Sequence, residues 1–97
     1  MSLVEIQAAV LRALAKAQAF CGRPWTGLDL TAKPIGDLDG FDSPGGVEAT
    51  LLLEDELGCG DLHVENVFKS KDGKRALNVI EVARRVAELL AAKEARR

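Results

Sequence analysis

Apolar residues recur with helical spacing over the first twenty residues of the chain. The positions of this stripe are Leu3, Ile6, Val10, Leu14 and Ala17. Separations of three or four residues place side chains on one face of a helix. Ser2 and Glu5 stand at the N-cap and N3 positions of a capping box, and Gly22 follows the stripe as a stop signal. The pattern predicts a helix from Leu3 to Phe20.

Residues 21–42 break this periodicity and are rich in Gly, Pro, Asp and Thr. The segment also contains large apolar side chains, which are Trp25, Leu28, Leu30, Ile35, Leu38 and Phe41. Loops of this length are uncommon in compact domains unless they have a function. Because so many apolar side chains favour burial, we expect the loop to pack on the core.

A second helix is predicted to begin with Ser43 as its N-cap and Pro44 at the first helical position, where proline is favoured. Gly58 ends this helix. The residues expected to face inward are Val47, Leu51 and Leu57, with Thr50 and Leu53 beside them. Because Gly45 and Gly46 are poor helix formers, we expect a loose first turn.

The last third of the chain predicts a short third helix, a polar turn and a closing helix. The short helix covers residues 61–68, with Val64, Val67 and Phe68 pointing inward, and the turn covers residues 69–75. Asn78 and Glu81 form a second capping pattern. The apolar stripe that follows consists of Val79, Val82, Ala83, Val86, Leu89 and Leu90.

These elements predict an all-α fold, a small four-helix bundle of three main helices and one short third helix. A long loop joins the first two helices, and no alternation typical of strands is present. We expect one domain over residues 1–97, with a core of about residues 3–91 and a basic tail at 92–97.

Charge is distributed unevenly along the chain. Between Pro34 and Phe68 there is no Lys or Arg, while the acids are Asp37, Asp39, Asp42, Glu48, Glu54, Asp55, Glu56, Asp61 and Glu65. Residues 69–97 are basic. An acidic face attracts basic partner surfaces and repels nucleic acid. A merely solvated surface is the alternative interpretation of such a run.

The apolar runs and the cysteines indicate where the protein acts and whether it binds a metal. No apolar run approaches the ~20 residues that span a bilayer, and the start lacks the pattern of a signal peptide, so we expect a cytoplasmic protein without a membrane span. Cys21 and Cys59 have no CxxC spacing, and only His63 could join them as a zinc ligand. We expect two reduced, partly buried thiols and no metal site.

Several motifs stand in a fixed register around Ser43. The central one is Asp42-Ser43-x-x-x-Val47-Glu48, followed by Leu51 and the helix end Glu54-Asp55-Glu56-Leu57-Gly58. Further matching segments are Val67-Phe68, Asp72-Gly73, Arg75-Ala76-Leu77 and Val79-x-Glu81-Val82-Ala83. With these motifs and the order of its helices, the chain resembles the acyl carrier proteins from about Leu3 to Ala91.

The resemblance implies a carrier without catalytic residues of its own. Ser43 would receive 4′-phosphopantetheine from coenzyme A through a Mg²⁺-dependent transferase, and the thiol would hold an acyl or aminoacyl group as a thioester. The chain would be a monomer serving lipid or polyketide biosynthesis. Its docking residues for basic patches on the transferase and on acyl-transferring enzymes would be Asp42, Pro44, Val47, Glu48, Glu54, Asp55 and Glu56. A helix N-terminus also favours a phosphate group.

The chain departs from the family's pattern directly after the serine. Pro44 stands where the family has a leucine that contacts partners, and Gly45 replaces an expected acid. One alternative is that Ser43 is only a helix cap, and the chain a carrier-like protein-interaction module without phosphopantetheine. An enzyme is the weakest hypothesis, because the sequence has no nucleophile–base pair, metal cluster or phosphate loop.

Overall fold

A computed structural model describes residues 2–25, 27–38, 40–58, 62 and 66–95. Within these ranges lie four helices, which are α1 (Leu3–Phe20), α2 (Pro34–Asp37), α3 (Ser43–Leu57) and α4 (Val79–Ala95). No strand occurs in the described part of the chain; Lys69 and Ala76 form one isolated antiparallel bridge. The fold is therefore a small helical bundle. Its radius of gyration is 12.4 Å, close to the ~13 Å of a compact domain of 100 residues.

Helix α1 begins and ends at the predicted residues. The Glu5 N–H donates to Ser2 Oγ at 3.2 Å, and the Ser2 N–H donates to Glu5 Oε1 at 3.1 Å. These two bonds complete the predicted capping box. At the other end Gly22 adopts a φ of 66°, which a glycine after a helix accommodates without strain.

The other two long helices both pack against α1. The buried face of α1 consists of Ile6, Ala9, Val10, Ala13, Leu14, Ala17 and Gln18. Helices α3 and α4 both contact this face, whereas they make little contact with each other. Because α3 and α4 make little contact with each other, the side of the bundle between them is available to other parts of the chain.

The connection from α1 to α3 packs on the core, as predicted. Leu38 and Phe41 are buried, and Trp25, Leu28, Leu30 and Ile35 are partly buried against the same core. The sequence did not predict α2, which is a distorted turn whose residues Ile35 and Gly36 have non-helical dihedral angles. Gly36 has a φ of 108°, and a turn bent by one glycine leaves no periodic signal.

Residues 66–69 enter the space between α3 and α4. Val67 and Phe68 are fully buried there, as predicted, and Phe68 meets Phe41 edge-on with ring centroids 5.6 Å apart. Half of the predicted short third helix, including His63 and Val64, lies outside the described residues, as does Cys59. The described residues of that segment, 62 and 66–68, are not helical.

The predicted polar turn after Phe68 is a tight reversal. The Ser70 N–H donates to Arg75 O at 2.7 Å, and Gly73 has a φ of 74°. Asp72 accepts hydrogen bonds from Ser70 and from the Lys74 N–H, which hold the pKa of its carboxyl below the usual value. We call residues 69–76 the basic hairpin below.

Helix α4 begins at the predicted capping pattern. The Glu81 N–H donates to Asn78 Oδ1 at 2.8 Å, and the Asn78 N–H donates to Glu81 Oε1 at 3.0 Å. The predicted inward stripe is buried at Val79, Val82, Ala83 and Val86 and partly buried at Leu89 and Leu90. The helix continues to Ala95, so it includes most of the predicted basic tail.

Two further expectations concern the surface. Cys21 is exposed, so the prediction of a partly buried thiol at this position is wrong; the residue follows the last turn of α1, outside its buried face. Among the described residues, no helix combines the length and apolar character that crossing a membrane requires.

Removing the cap of α4 tests how much this helix start contributes. We expect Asn78→Ala to lower the free energy of unfolding by about 1 kcal/mol, because the Glu81 N–H loses its acceptor. The melting temperature should fall by about 4–8 °C, as measured by circular dichroism. Asn78→Ser retains a side-chain acceptor and should stay near wild type. An unchanged melting temperature in Asn78→Ala would contradict this account of the cap.

Candidate functional site

The N-terminus of α3 is capped by Asp42. Asp42 has extended dihedral angles (φ −122°, ψ −172°), and its Oδ1 accepts the Gly45 N–H at 2.9 Å. Ser43 is therefore the first helical residue, and the prediction that it is the N-cap is wrong. Aspartate and serine are about equally favoured at the N-cap of a helix. The chain has both in succession, and Asp42 is the residue that caps α3.

The side chain of Ser43 is consequently left without a structural task. It is partly exposed, and no described residue hydrogen-bonds to its hydroxyl. Its backbone carbonyl, by contrast, accepts a hydrogen bond from Asn66 Nδ2 at 3.1 Å. The main chain at Ser43 is thus held in place while the hydroxyl remains available.

Asn66 fixes the segment after α3 to the first turn of that helix. While its Nδ2 binds the Ser43 carbonyl, its Oδ1 accepts the Phe68 N–H at 3.0 Å. The backbone carbonyl of Asn66 accepts a hydrogen bond from Arg85 Nη1 at 3.0 Å. Because Arg85 belongs to α4, Asn66 links α3, the inserted segment and α4.

A second link runs through a buried hydroxyl of α3. Thr50 Oγ1 donates to Gly46 O at 2.7 Å and accepts the Val67 N–H at 3.1 Å. Thr50 is 1% exposed, and a buried hydroxyl needs such partners. The two links together fix the basic hairpin beside Ser43.

Gly46 is required by the position of Asn66. A Cβ at residue 46 would lie 2.5 Å from Asn66 Oδ1 and 2.6 Å from Nδ2. The expectation of a loose first turn is wrong, since Gly46 is buried and its N–H donates to Asp42 O at 2.9 Å. The glycine permits close packing here.

The inward face of α3 differs from the predicted one at Val47 and Leu51, whereas Leu57 packs partly buried on the core as predicted. The buried residues are Gly46, Ala49, Thr50 and Leu53, whereas Val47 is 39% exposed and Leu51 is 62% exposed. Gly46 faces inward because the Asn66 amide lies against it, and Ala49 is fully buried. Pro44, Val47 and Leu51 form a surface that we call the apolar strip, and it begins next to Ser43.

The predicted docking acids fall into two groups. Glu48 and Asp55 are exposed, whereas Glu54 accepts the Leu62 N–H at 3.2 Å. Glu56 pairs with Lys16 and with Arg12, whose Nε lies 2.8 Å from Oε2. These hydrogen bonds, from Lys16 first and then Arg12, hold the pKa of Glu56 below its usual value. Glu56 therefore joins α3 to α1.

An open groove of about 1470 Å³ begins at Ser43 and lies between α3 and α4. Its basic lining residues are Lys69, Lys71, Arg75, Arg84 and Arg85. Burial lowers the pKa of Arg85. The sequence shows the basic character of this region but not its nearness to Ser43, because α4 and the basic hairpin follow the serine by 26 residues or more.

Comparison of the chain with protein-family models, curated proteins and solved structures finds no match. Among the described residues, no group of three His, Cys, Asp or Glu side chains is arranged to hold a metal ion.

The contact between Gly46 and Asn66 gives a stability prediction. Alanine is favoured over glycine within a helix by about 1 kcal/mol, yet at residue 46 it must displace Asn66 from two hydrogen bonds, a loss of about 1–3 kcal/mol. We expect Gly46→Ala to lower stability in urea unfolding. Gly45→Ala is the comparison variant, since its Cβ would meet Asp42 Oδ1 at 3.3 Å, a tight contact but not the overlap found at residue 46.

A double-mutant cycle separates this contact from helix propensity. In an Asn66→Ala background the obstacle is absent, so Gly46→Ala should become neutral or stabilising there. Equal effects of Gly46→Ala in the two backgrounds would contradict the packing account.

The ion pairs of Glu56 give a pH prediction. Because its folded-state pKa lies below the ordinary value of 4.5, its contribution to stability is present above pH 4.5 and lost as the pH falls through the folded-state pKa. We expect Glu56→Gln to be less stable than wild type at pH 7, with the difference closing below pH 4.5 in urea unfolding. Glu48→Gln, on the exposed face, controls for loss of one charge. A difference that persists unchanged to pH 3 would contradict the assignment.

Proposed function

We propose that this chain is an acyl carrier protein. Ser43 would carry 4′-phosphopantetheine, and an acyl or aminoacyl group would be held on it as a thioester and shuttled between biosynthetic enzymes. The observation that carries the proposal is the division of roles between Asp42 and Ser43. Asp42 caps α3, so the partly exposed Ser43 hydroxyl has no partner among the described residues.

The surroundings of Ser43 fit a phosphodiester. The residue stands at the positive end of the α3 dipole, which favours a phosphate. Pro44 has no N–H, and the Gly45 N–H is taken by Asp42, so α3 offers few free donors of its own. Lys69 and Lys71 line the groove that begins at Ser43, and their positive charge compensates for those missing donors.

The chemical task of the chain at this site is small. Ser43 Oγ forms a bond to the phosphorus that bears the pantetheine arm of coenzyme A, as the bond from that phosphorus to adenosine 3′,5′-bisphosphate breaks. The transferase removes the hydroxyl proton. Once attached, the group supplies the thiol that forms the thioester. Tethering raises the effective concentration of the acyl group at each enzyme.

Partner enzymes would dock beside Ser43 on α3. The apolar strip of Pro44, Val47 and Leu51 is flanked by the exposed acids Glu48 and Asp55. Such a surface suits a partner with an apolar patch and a basic rim, because charge steers the encounter and buried apolar area holds the complex. Glu54 and Glu56 contribute less, since both accept hydrogen bonds within the chain.

The second candidate is an unmodified protein-interaction module with the same acidic helix. Pro44 favours it, because a rigid ring follows Ser43 where a transferase would have to approach. Such a module would bind its partner through α3 equally well with Ser43→Ala.

Modification of Ser43 is tested directly by mass. The chain is incubated with coenzyme A, Mg²⁺ and a promiscuous phosphopantetheinyl transferase, and its intact mass is measured. We expect the gain of one phosphopantetheine on wild type and none on Ser43→Ala, whose folding is checked by circular dichroism. Absence of the gain with several transferases would exclude the carrier function, and a gain that persists in Ser43→Ala would place the modification elsewhere.

A further inference from the structure

The groove between α3 and α4 is an unfilled part of the bundle. Both helices pack on α1 but make little contact with each other. The buried segment at Val67 and Phe68 fills one part of the gap between them. The remainder is open and begins at Ser43. Its walls are two helices, which is the geometry that accepts a further helix by packing side chains into a groove.

The rim of this groove carries excess positive charge. Its acids are Asp72, Glu81 and Glu88. Asp72 is engaged in the turn of the basic hairpin, and Glu81 binds Arg75 at 3.0 Å. Glu88 is exposed. Five cations stand against these three acids, so the rim keeps a net positive charge.

Of the five rim cations, Arg75 pairs with Glu81, and the other four have no carboxylate partner among the described residues. In the part of the chain that the structure describes, Lys69, Lys71 and Arg84 have no ion pair. Arg85 donates to the carbonyls of Asn66 and Lys69, which do not neutralise its charge. Four positive charges therefore stand on one groove without a carboxylate bound to them.

The walls between these charges are apolar. Val47 and Pro44 lie on the α3 side, and Leu89 and Ala92 lie on the α4 side. Val47 is 39% exposed, Pro44 and Ala92 are exposed, and Leu89 is partly buried. An occupant therefore has to present apolar side chains to the walls and negative charge to the rim.

We infer that this groove binds an acidic, amphipathic helical segment of a partner protein. The inference goes beyond the carrier function and does not depend on modification of Ser43. It also differs from docking on the acidic face of α3, because the charge of the partner is reversed. A partner that used both surfaces would be oriented by their opposite charges.

The shape of the surface favours a peptide over other polyanions. The cations flank apolar residues on both α3 and α4, and the apolar face of one helix can contact these residues along its length. The acids Glu48 and Asp55 on the adjoining helix repel nucleic acid. A segment with apolar residues on one face and acids on the other satisfies both the walls and the rim.

The test uses a labelled model peptide and the Ser43→Ala protein, so that its outcome is independent of phosphopantetheine. The probe is a fluorescein-labelled peptide of about sixteen Glu, Leu and Ala residues, with leucines on one helical face. Binding is followed by fluorescence anisotropy and mapped by amide NMR shifts. We expect saturable binding that weakens with salt, with shifts in the basic hairpin, around Val47 and in α4 near Leu89.

Two lysines of the basic hairpin provide a matched pair of variants. Lys71 lines the groove, whereas Lys74 is exposed on the same turn and does not. We expect Lys71→Glu to weaken peptide binding by about fivefold or more, and Lys74→Glu to change it by less than about twofold. Both variants change the net charge by the same amount, so the comparison isolates position from overall charge.

Three results would overturn the inference. The first is no saturable binding of the peptide. The second is an equal loss of peptide affinity in Lys71→Glu and Lys74→Glu, or equal affinity for a peptide of the same composition whose leucines are scrambled. Either outcome would indicate unspecific charge attraction. The third is that the protein does not bind the peptide but sediments with vesicles of phosphatidylcholine and phosphatidylglycerol, and that Lys71→Glu reduces this sedimentation. That result would assign the groove to a lipid surface.

Discussion

The arrangement of the site depends on the contact between the Asn66 side chain and the first turn of α3. Asn66 Nδ2 binds the Ser43 carbonyl, and the amide lies where a side chain at residue 46 would otherwise stand. This contact holds the inserted segment against α3, and Arg85 attaches the same segment to α4. Together with the hydrogen bond from the Val67 N–H to Thr50 Oγ1, this contact fixes the basic hairpin beside Ser43.

At the start of α3 two adjacent residues have different roles: Asp42 caps the helix, and Ser43 presents a hydroxyl. Asp42 satisfies the free N–H of Gly45, and a satisfied helix end needs no further acceptor from Ser43. The serine main chain is nevertheless fixed through its carbonyl. A hydroxyl on a rigid backbone, without an internal partner, suits an attachment point that an external enzyme has to find in a defined position.

Ser43 lies between two surfaces of opposite charge. On one side are the exposed acids Glu48 and Asp55, and on the other is the groove, whose cations Lys69, Lys71, Arg84 and Arg85 have no ion pair among the described residues. Pro44 and Val47 of the apolar strip border both surfaces. The net charge of −2 conceals this arrangement. A partner that recognises both surfaces can approach Ser43 in only one orientation, because electrostatic complementarity fixes register as well as rate.

Local signals predicted the parts of the structure that local interactions determine. The two capping boxes, the helix stop at Gly58 and the stripes of α1 and α4 involve residues a few positions apart, and their sequence patterns were interpreted correctly. The prediction that Val47 and Leu51 face inward is wrong because the packing of α3 depends on Asn66, twenty residues from Gly46. Helix propensity alone predicts a flexible turn at Gly45 and Gly46. The tertiary structure shows instead that Gly46 allows the Asn66 amide to pack closely against α3. The groove could not be predicted either, because its lining residues at the start of α3 and in α4 are far apart in the sequence.

The availability of Ser43 for a prosthetic group is the central claim, and it is tested most directly by the mass of the chain purified from its native host. Intact-mass analysis followed by peptide mapping determines whether and where the chain is modified. The account predicts one 4′-phosphopantetheine, with or without an acyl group, on the peptide that contains Ser43. A chain of unmodified mass, or a modification mapped to another residue, would contradict it.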